Sequence, residues 1–403
     1  MSTAPLLALE IHGAPRERGR QYGEGASPLI HAAVDYYTEA FGQASGLTWA
    51  QVTDRAARWM EPCRDFAPDL VEEMTGIAEG AGLHPLDILA LNARGEIIYD
   101  STFSGMSPSP PVPVPAGVGE GSPADSEDDC PADFDEAPDG CTSFALMDEA
   151  SADGHVYAGQ NWDWRYAVRD TVMALRVVQP GQPTVVMHLE AGQIGRQGAN
   201  SAGLALNANG LGGRFDGAVG VPQTFIRRKV LNSANVADAL RTLIRTQPHI
   251  ASNALLTHRA GFAIDVETTP GPHGWLYPAD GLLVHGNHFQ AALPPQIAAT
   301  YRPASPDSLI RVPRAESGLR RCRDSSSPHE TRKLIRSAMS DHLGHPESLC
   351  THPDPRKPAV RQWATLLSSC VDLTTGDYLL TPGPPCSHEY QCLPWNLYDG
   401  PSS

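Results

Sequence analysis

Residues 101–140 contain no lysine or arginine. They carry nine acids, Glu120, Asp125, Glu127, Asp128, Asp129, Asp133, Asp135, Glu136 and Asp139, and eight prolines, five of them at positions 108, 110, 111, 113 and 115. Such a stretch cannot bury enough apolar surface to offset the entropy of ordering it. It reads as a disordered, acidic, proline-rich linker. It divides the chain into an N-terminal piece of about a hundred residues and a second piece that starts near Gly140.

The two pieces differ in periodicity. Before the linker it is helical: apolar residues recur at 29, 30, 33, 34 and 37 and continue to Phe41. A second helix is expected to begin at Pro68, which suits a first helical turn. It would bury Leu70, Val71, Met74 and Ile77 and stop near Gly80 or Gly82. A third apolar segment, Leu86 to Ile98, contains Asn92, Arg94 and Glu96. After the linker, short runs predict strands over 142–147, 155–161, 172–178, 184–189, 203–207, 254–256 and 261–267. Strands over 365–373 and 378–380 would form a hairpin across Thr375-Gly376. Two helices are expected among them. One is capped by Ser233 and buries Val236, Leu240, Leu243 and Ile244, and the other runs from about Pro328 to His342. Strands joined by hairpins, with helices in separate blocks, specify an α+β layered fold rather than βαβ units.

Composition narrows the class. A chain of 403 residues is long enough for a substantial core without staples. Its 8 cysteines include no Cys-x-x-Cys pair, so reduced thiols are expected. The formal charge of -16 argues against a nucleic-acid partner. No window offers the ~18 apolar residues of a membrane span. Met1 to Glu10 lacks the basic residue and long apolar core of a secretory signal.

The most informative point is the end of the linker, Asp139-Gly140-Cys141-Thr142-Ser143, where a strand-like run begins at once. A flexible segment feeding a Gly-Cys step suits autocatalytic cleavage. Gly140 leaves its carbonyl accessible, and the Cys141 thiol can attack it in an N-to-S acyl shift. Hydrolysis would then give Cys141 a free α-amino group. That amine, with a reference pKa of ~7.7–8.0, is poised to take the thiol proton near neutral pH. Taken alone, Cys141 has a rival reading as a buried, inert thiol.

Further blocks follow in order: Gly-Gln-Asn-Trp-Asp-Trp at 159–164, Glu-Ala-Gly-Gln-Ile-Gly at 190–195, Gly198 to Asn207, Val-His-Gly-Asn-His at 284–288, and Asp341-His342 with Ser348-Leu349-Cys350. With the Cys141 junction they resemble the acyl-coenzyme A:6-aminopenicillanic acid acyltransferase family, a cysteine-type branch of the N-terminal nucleophile hydrolases. The blocks Gly13 to Gly23 and Leu91 to Glu96 look like that family's N-terminal subunit. The resemblance implies a four-layer α/β/β/α sandwich, a precursor cut between Gly140 and Cys141, and a heterodimer of 1–140 and 141–403. In these terms 1–103 is the N-terminal helical part, 104–140 the linker, and 141–403 the catalytic part, packed with 1–103 as one domain.

The resemblance also implies roles. Asp163 would bind the new α-ammonium or orient the substrate amine, against a rival role as a strand-end turn residue. Asn287 would line the oxyanion hole, against loop capping. Thr142, Glu190 and Asn207 are substrate-binding candidates with equally good structural alternatives, and Arg94 would pair across the subunit boundary. Asn161 is expected to order the adjacent turn. His285 and His288 lack a third ligand at sensible spacing, so no metal is expected. Thr351 stands where the family has an arginine, which puts penicillin as substrate in doubt; Arg356 or Lys357 are candidate substitutes.

The expected activity is therefore a self-processing N-acyltransferase or amidohydrolase acting through an acyl-Cys141 thioester, in secondary metabolism. The partners are a small-molecule acyl donor and an amine acceptor. The alternatives are a plain amidase or peptidase on a small N-acyl or β-alanyl conjugate, and an unprocessed, non-enzymatic sandwich protein. Neither Gly-x-Gly-x-x-Gly nor a P-loop occurs, so no cofactor is expected and acyl-CoA would be a substrate. The ending Gly400-Pro401-Ser402-Ser403 is unlike a peroxisomal Ser-Lys-Leu, and a cytoplasmic location is expected.

Overall fold

The computed structural model describes residues 6–99, 140–215 and 217–400. The disordered linker expected over 104–138 lies outside the described residues.

Two sheets form the centre. The first has eight strands in the order β1 (Leu7–His12), β4 (Val172–Val178), β5 (Val185–Glu190), β6 (Gln197–Asn200), β7 (Leu204–Asn207), β8 (Ser252–His258), β9 (Phe262–Thr268) and β10 (Gly274–Leu276). The second has six, ordered β11 (Leu282–His285), β2 (Gly140–Leu146), β3 (Tyr157–Arg165), β12 (Trp363–Asp372), β13 (Asp377–Leu380) and β14 (Gln391–Asn396). The pairing of β1 with β4 is parallel, and the other strand ladders are antiparallel.

Strand alternation places these sheets in layers. In β4, Met173, Leu175 and Val177 face the N-terminal helices, whereas Val172 and Ala174 face the other sheet. In β2, Cys141 and Ala145 join the core between the sheets, while Phe144 and Leu146 face the helices on the far side. The first outer layer holds α1 (Pro15–Gly25), α2 (Ser27–Ser45), α3 (Trp49–Ala56), α4 (Met60–Phe66), α5 (Pro68–Ala81), α6 (Pro85–Asn92), α7 (Arg94–Tyr99), α8 (Gln223–Leu231) and α9 (Val236–Arg245). The second holds α10 (Ser308–Leu319) and α11 (Pro328–Met339). This is the α/β/β/α sandwich that the resemblance implies. No helix of the described residues is long and apolar enough to cross a membrane.

Helices α1 and α5 meet backbone to backbone through two glycine pairs. A Cβ on Gly19 would lie 2.1 Å from the Glu73 carbonyl oxygen, and one on Gly76 would lie 2.2 Å from that of Arg16. Gly23 and Gly80 make the same approach one turn further on, at 2.2 and 2.3 Å. Beneath this crossing the buried Glu73 carboxylate takes hydrogen bonds from two guanidiniums, Arg18 at 2.5 Å and Arg228 of α8 at 2.7 Å. A second buried pair, Arg94 to Glu190 at 2.5 Å, links α7 to the end of β5.

Several expectations need correction. The segment 86–98 is two helices, α6 and α7, parted at Ala93. Ser233 does not cap α9; the Asn235 side chain does, accepting from the Asp238 amide at 2.9 Å. Ile244 points outward, 48% exposed. The helix expected to reach His342 ends at Met339. Asn161 orders no adjacent turn: it sits within β3, and its Nδ2 donates to the distant carbonyls of Met339 and Leu349.

Candidate active site

The start of β2 lies between β3 and β11. Gly140 pairs with Asp163, Cys141 with Trp162 and Thr142 with Asn161. Alternation therefore sends the Cys141 side chain, with Trp162, into the layer between the sheets. Thr142 and Asp163 point the other way, toward α10. Gly140 is needed at its position because a Cβ would press on the Trp363 ring at 3.0 Å and on the Asp163 Cβ at 3.1 Å.

On the other flank, β11 pairs His285 with Ser143 and runs on into Gly286-Asn287. The Cys141 N–H donates to Asn287 Oδ1 at 2.8 Å. Asn287 Nδ2 donates to the Gly210 carbonyl at 3.0 Å, which fixes which end of the amide faces the cysteine. The Asn287 backbone N–H donates to Ser308 Oγ at the start of α10, at 2.6 Å. Gly286 admits that hydroxyl, since a Cβ there would meet it at 2.3 Å. His285 faces acceptors with both ring nitrogens, the Gly286 carbonyl at 2.9 Å and Glu267 at 3.0 Å, so both carry protons. Burial opposes that charge, but Asp265 and Glu267 prevail and raise its pKa.

Arg311 of α10 connects these groups. Its Nη1 donates to the Cys141 carbonyl at 2.6 Å and to Thr142 Oγ1 at 2.7 Å. Its Nη2 donates to Asn287 Oδ1 at 2.8 Å, and its Nε to Asp307 at 2.6 Å. The guanidinium is buried, yet its pKa stays raised because Asp307 and Asp163 outweigh desolvation.

Asp163 is buried as well. Burial pushes its carboxyl up to about 7, against the pull of Arg311 and of the Thr365 hydroxyl, which donates to Oδ1 at 2.6 Å. Its other oxygen, Oδ2, has no hydrogen-bond partner among the described residues. Asp163 lines a cavity of about 200 Å³ with Gly140, Asp307, Arg311, Thr351 and Trp363. A second, much smaller cavity, of about 40 Å³, is lined by Trp164 and Gly210, with Arg94, Arg196, Arg227 and Glu96 on its walls. Arg196 stacks over Trp162, the residue opposite Cys141, at 4.1 Å from the ring centroid.

The structure thus brings Gly140, Cys141, Thr142, Asp163 and Asn287 together. It leaves Glu190 on Arg94 and Tyr37, and Asn207 buried at the end of β7, with neither lining the two cavities. Of the candidates for the guanidinium absent at Thr351, Arg356 pairs with Asp354, while Lys357 pairs with Glu347 and lines the Asp163 cavity. A guanidinium does reach this cavity from Arg311, which no sequence pattern singled out. Thr365 and Ser308 were missed in the same way; each is a hydroxyl whose role depends on a distant strand or helix.

The profile of the acyl-coenzyme A:6-aminopenicillanic acid acyl-transferase family matches residues 150–359, a span that holds Asp163, Asn287 and Arg311 and begins after Cys141. The chain belongs to this family. A relative within it, the acyl-coenzyme A:6-aminopenicillanic-acid-acyltransferase 40 kDa form of Emericella nidulans, is 27% identical over 346 residues, covering 86% of this chain and 84% of that one. Membership of this acyltransferase family makes the chain an enzyme acting on acyl or amide groups. Among solved structures, a variant of conjugated bile acid hydrolase from Clostridium perfringens aligns with a TM-score of 0.41 at 14% identity, over 64% of this chain and 97% of that one. Penicillin V acylase from Agrobacterium tumefaciens aligns with a TM-score of 0.37 at 18% identity, over 60% and 82%.

Proposed function

We propose that this acyltransferase-family enzyme cuts itself before Cys141 and then works through a thioester on that residue. The observation that carries the proposal is the convergence at the start of β2. The Cys141 amide is held by Asn287, its carbonyl by Arg311, and the Asp163 carboxyl beside Gly140 keeps one oxygen unpartnered.

In maturation the Cys141 sulfur adds to the Gly140 carbonyl, the amide C–N bond breaks, and Gly140 becomes an acyl thioester. Water hydrolyses that thioester, leaving a Gly140 carboxylate, the Cys141 thiol and a new α-amine. The amine inherits the Asn287 oxygen as acceptor. Once protonated by the thiol it is matched by Asp163, whose Oδ2 becomes an anion for it. In turnover the thiolate attacks the acyl carbon of an amide or thioester, and the amine returns the proton to the leaving group. Asn287, whose Oδ1 faces the Cys141 amide and whose Nδ2 donates to Gly210 in the uncut chain, is the residue assigned to the tetrahedral oxygen. A preorganised donor of this kind typically contributes ~3–4 kcal/mol to the transition state.

The acyl donor is a small amide or a thioester such as acyl-CoA, and the acceptor is an amine or water. Sequencing the N-terminus of the purified protein tests maturation: a new end at Cys141 is expected, and Cys141→Ala leaves one uncut chain. If the Ala variant were cut there at the same rate, the thiol would not be the agent. Supplying acyl-CoA with an amine, and the corresponding amide alone, then separates transfer from hydrolysis.

A further inference from the structure

Four potential metal ligands converge where the loop after α11 meets the loop after β13. They are His342, Cys350, His352 and Cys386, and their ligand atoms all lie within 4.8 Å of one another. His352 Nε2 is the centre of the group. It lies 3.1 Å from His342 Nε2, 3.6 Å from Cys350 Sγ and 3.5 Å from Cys386 Sγ.

Hydrogen bonding does not account for this crowding. A ring nitrogen carries either one N–H or one in-plane lone pair, so it serves one partner well. Here an imidazole and two thiols share it. A single cation among them satisfies all four at once. With Zn–N near 2.0–2.1 Å and Zn–S near 2.3 Å, tetrahedral geometry sets two nitrogens about 3.3 Å apart and a nitrogen about 3.5–3.6 Å from a sulfur. The observed spacings fit those values. Two thiolates with two imidazoles select zinc among the common divalent ions, and four protein ligands leave no open position, as in a structural site.

We propose that His342, Cys350, His352 and Cys386 bind one zinc ion. The ion would staple the 341–352 loop to Cys386, and this loop supports the active site. Between the ligands, the Leu349 carbonyl accepts from Asn161 Nδ2, and the Thr351 amide donates to Thr365 Oγ1, which in turn donates to Asp163. Glu347 and Thr351 line the Asp163 cavity. Zinc therefore fixes one wall of that cavity without touching substrate. The ligands are separated by seven, one and thirty-three residues, a spacing that matches no short zinc motif.

The full chain, purified without chelator, is assayed by elemental analysis, and zinc is then exchanged for cobalt(II). About one zinc per chain is expected, with the intense visible bands of tetrahedral cobalt and a thiolate charge-transfer band. Cys386→Ser, a change at an exposed thiol, should lower zinc retention by about tenfold or more while the far-ultraviolet circular dichroism is unchanged. Cys141→Ser should keep the metal. A chain that holds no zinc and gives no tetrahedral cobalt spectrum overturns the proposal. So does metal content that is indifferent to Cys386→Ser, or a mass about 2 Da low that maps to a Cys350–Cys386 disulfide.

Discussion

Arg311 shows how much a single side chain holds together. It is 1% exposed, and its charge is tolerated because acceptors surround the whole fork: Asp307, the Cys141 carbonyl, Thr142 and Asn287. Lysine keeps the charge but not the planar fork. Arg311→Lys should slow both self-cleavage and turnover by about 10²-fold, since a lysine cannot reach the Cys141 carbonyl, Thr142 and Asn287 with one planar fork. The appearance of fragments on a gel and kcat/KM measure the two effects, and unchanged rates in both would remove Arg311 from the machinery. Asn287→Ala should lower kcat by about 10²–10³ with a much smaller change in KM. Asp163 makes a pH prediction. In the uncut chain its carboxyl is raised from 3.8 to about 7, so ionisation is penalised in the folded state. The stability it contributes is complete below the ordinary carboxylate range and is lost as pH rises from about 4 to about 7. Denaturant titrations of Cys141→Ala and of Cys141→Ala/Asp163→Asn should therefore diverge across that window, with the double variant showing the flatter profile. Parallel profiles would show that Asp163 does not titrate there.

Glycine governs the crossing of α1 and α5. Each Cβ added at Gly19, Gly23, Gly76 or Gly80 meets backbone, which cannot swing aside as a side-chain end can. Gly76→Ala should cost about 3 kcal/mol or more by overpacking. At the exposed Gly42 of α2 the nearest atom to a new Cβ is 3.9 Å away, so Gly42→Ala should be neutral or stabilising by up to about 1 kcal/mol. Chemical denaturation of the two variants checks both signs. The same elements show what the sequence reveals. Periodicity placed α2 and α5, whose apolar faces are continuous, and located β4 to the residue and β2 to within two. It did not reveal α10, where Pro313 interrupts a polar segment, and Arg311 was lost with that helix. Nor did it reveal α1, because Gly19 and Gly23 are poor helix formers whose value lies in the partner helix. The Cys141 junction was legible because it is local. The Asn287 and Arg311 contacts were less so, because they bring together residues 146 and 170 positions away from Cys141.

At the scale of the whole molecule, the N-terminal piece is woven into the rest. Strand β1 completes the eight-stranded sheet beside β4, Glu73 takes Arg228, and Arg94 takes Glu190. Cleavage at Gly140 should therefore leave 1–140 and 141–403 bound together. One peak in gel filtration that resolves into two bands only on denaturation is expected, and separate elution in native buffer would contradict it. Deleting 106–134 should leave folding and processing intact, since loop closure changes by only ~0.6 kcal/mol per doubling of length. Insoluble or uncut protein would assign that segment a role in the fold. The position of β1 has one more consequence. Before the proposed cut, β1 finds β4 within its own chain; after it the same pairing would be an encounter between two molecules. An uncut chain would refold at any dilution, but a chain cut as proposed, once unfolded, would recover only as fast as its halves collide. Its durability is then a matter of how slowly it opens, and recovery after denaturation should fall with dilution for the cut protein but not for Cys141→Ala.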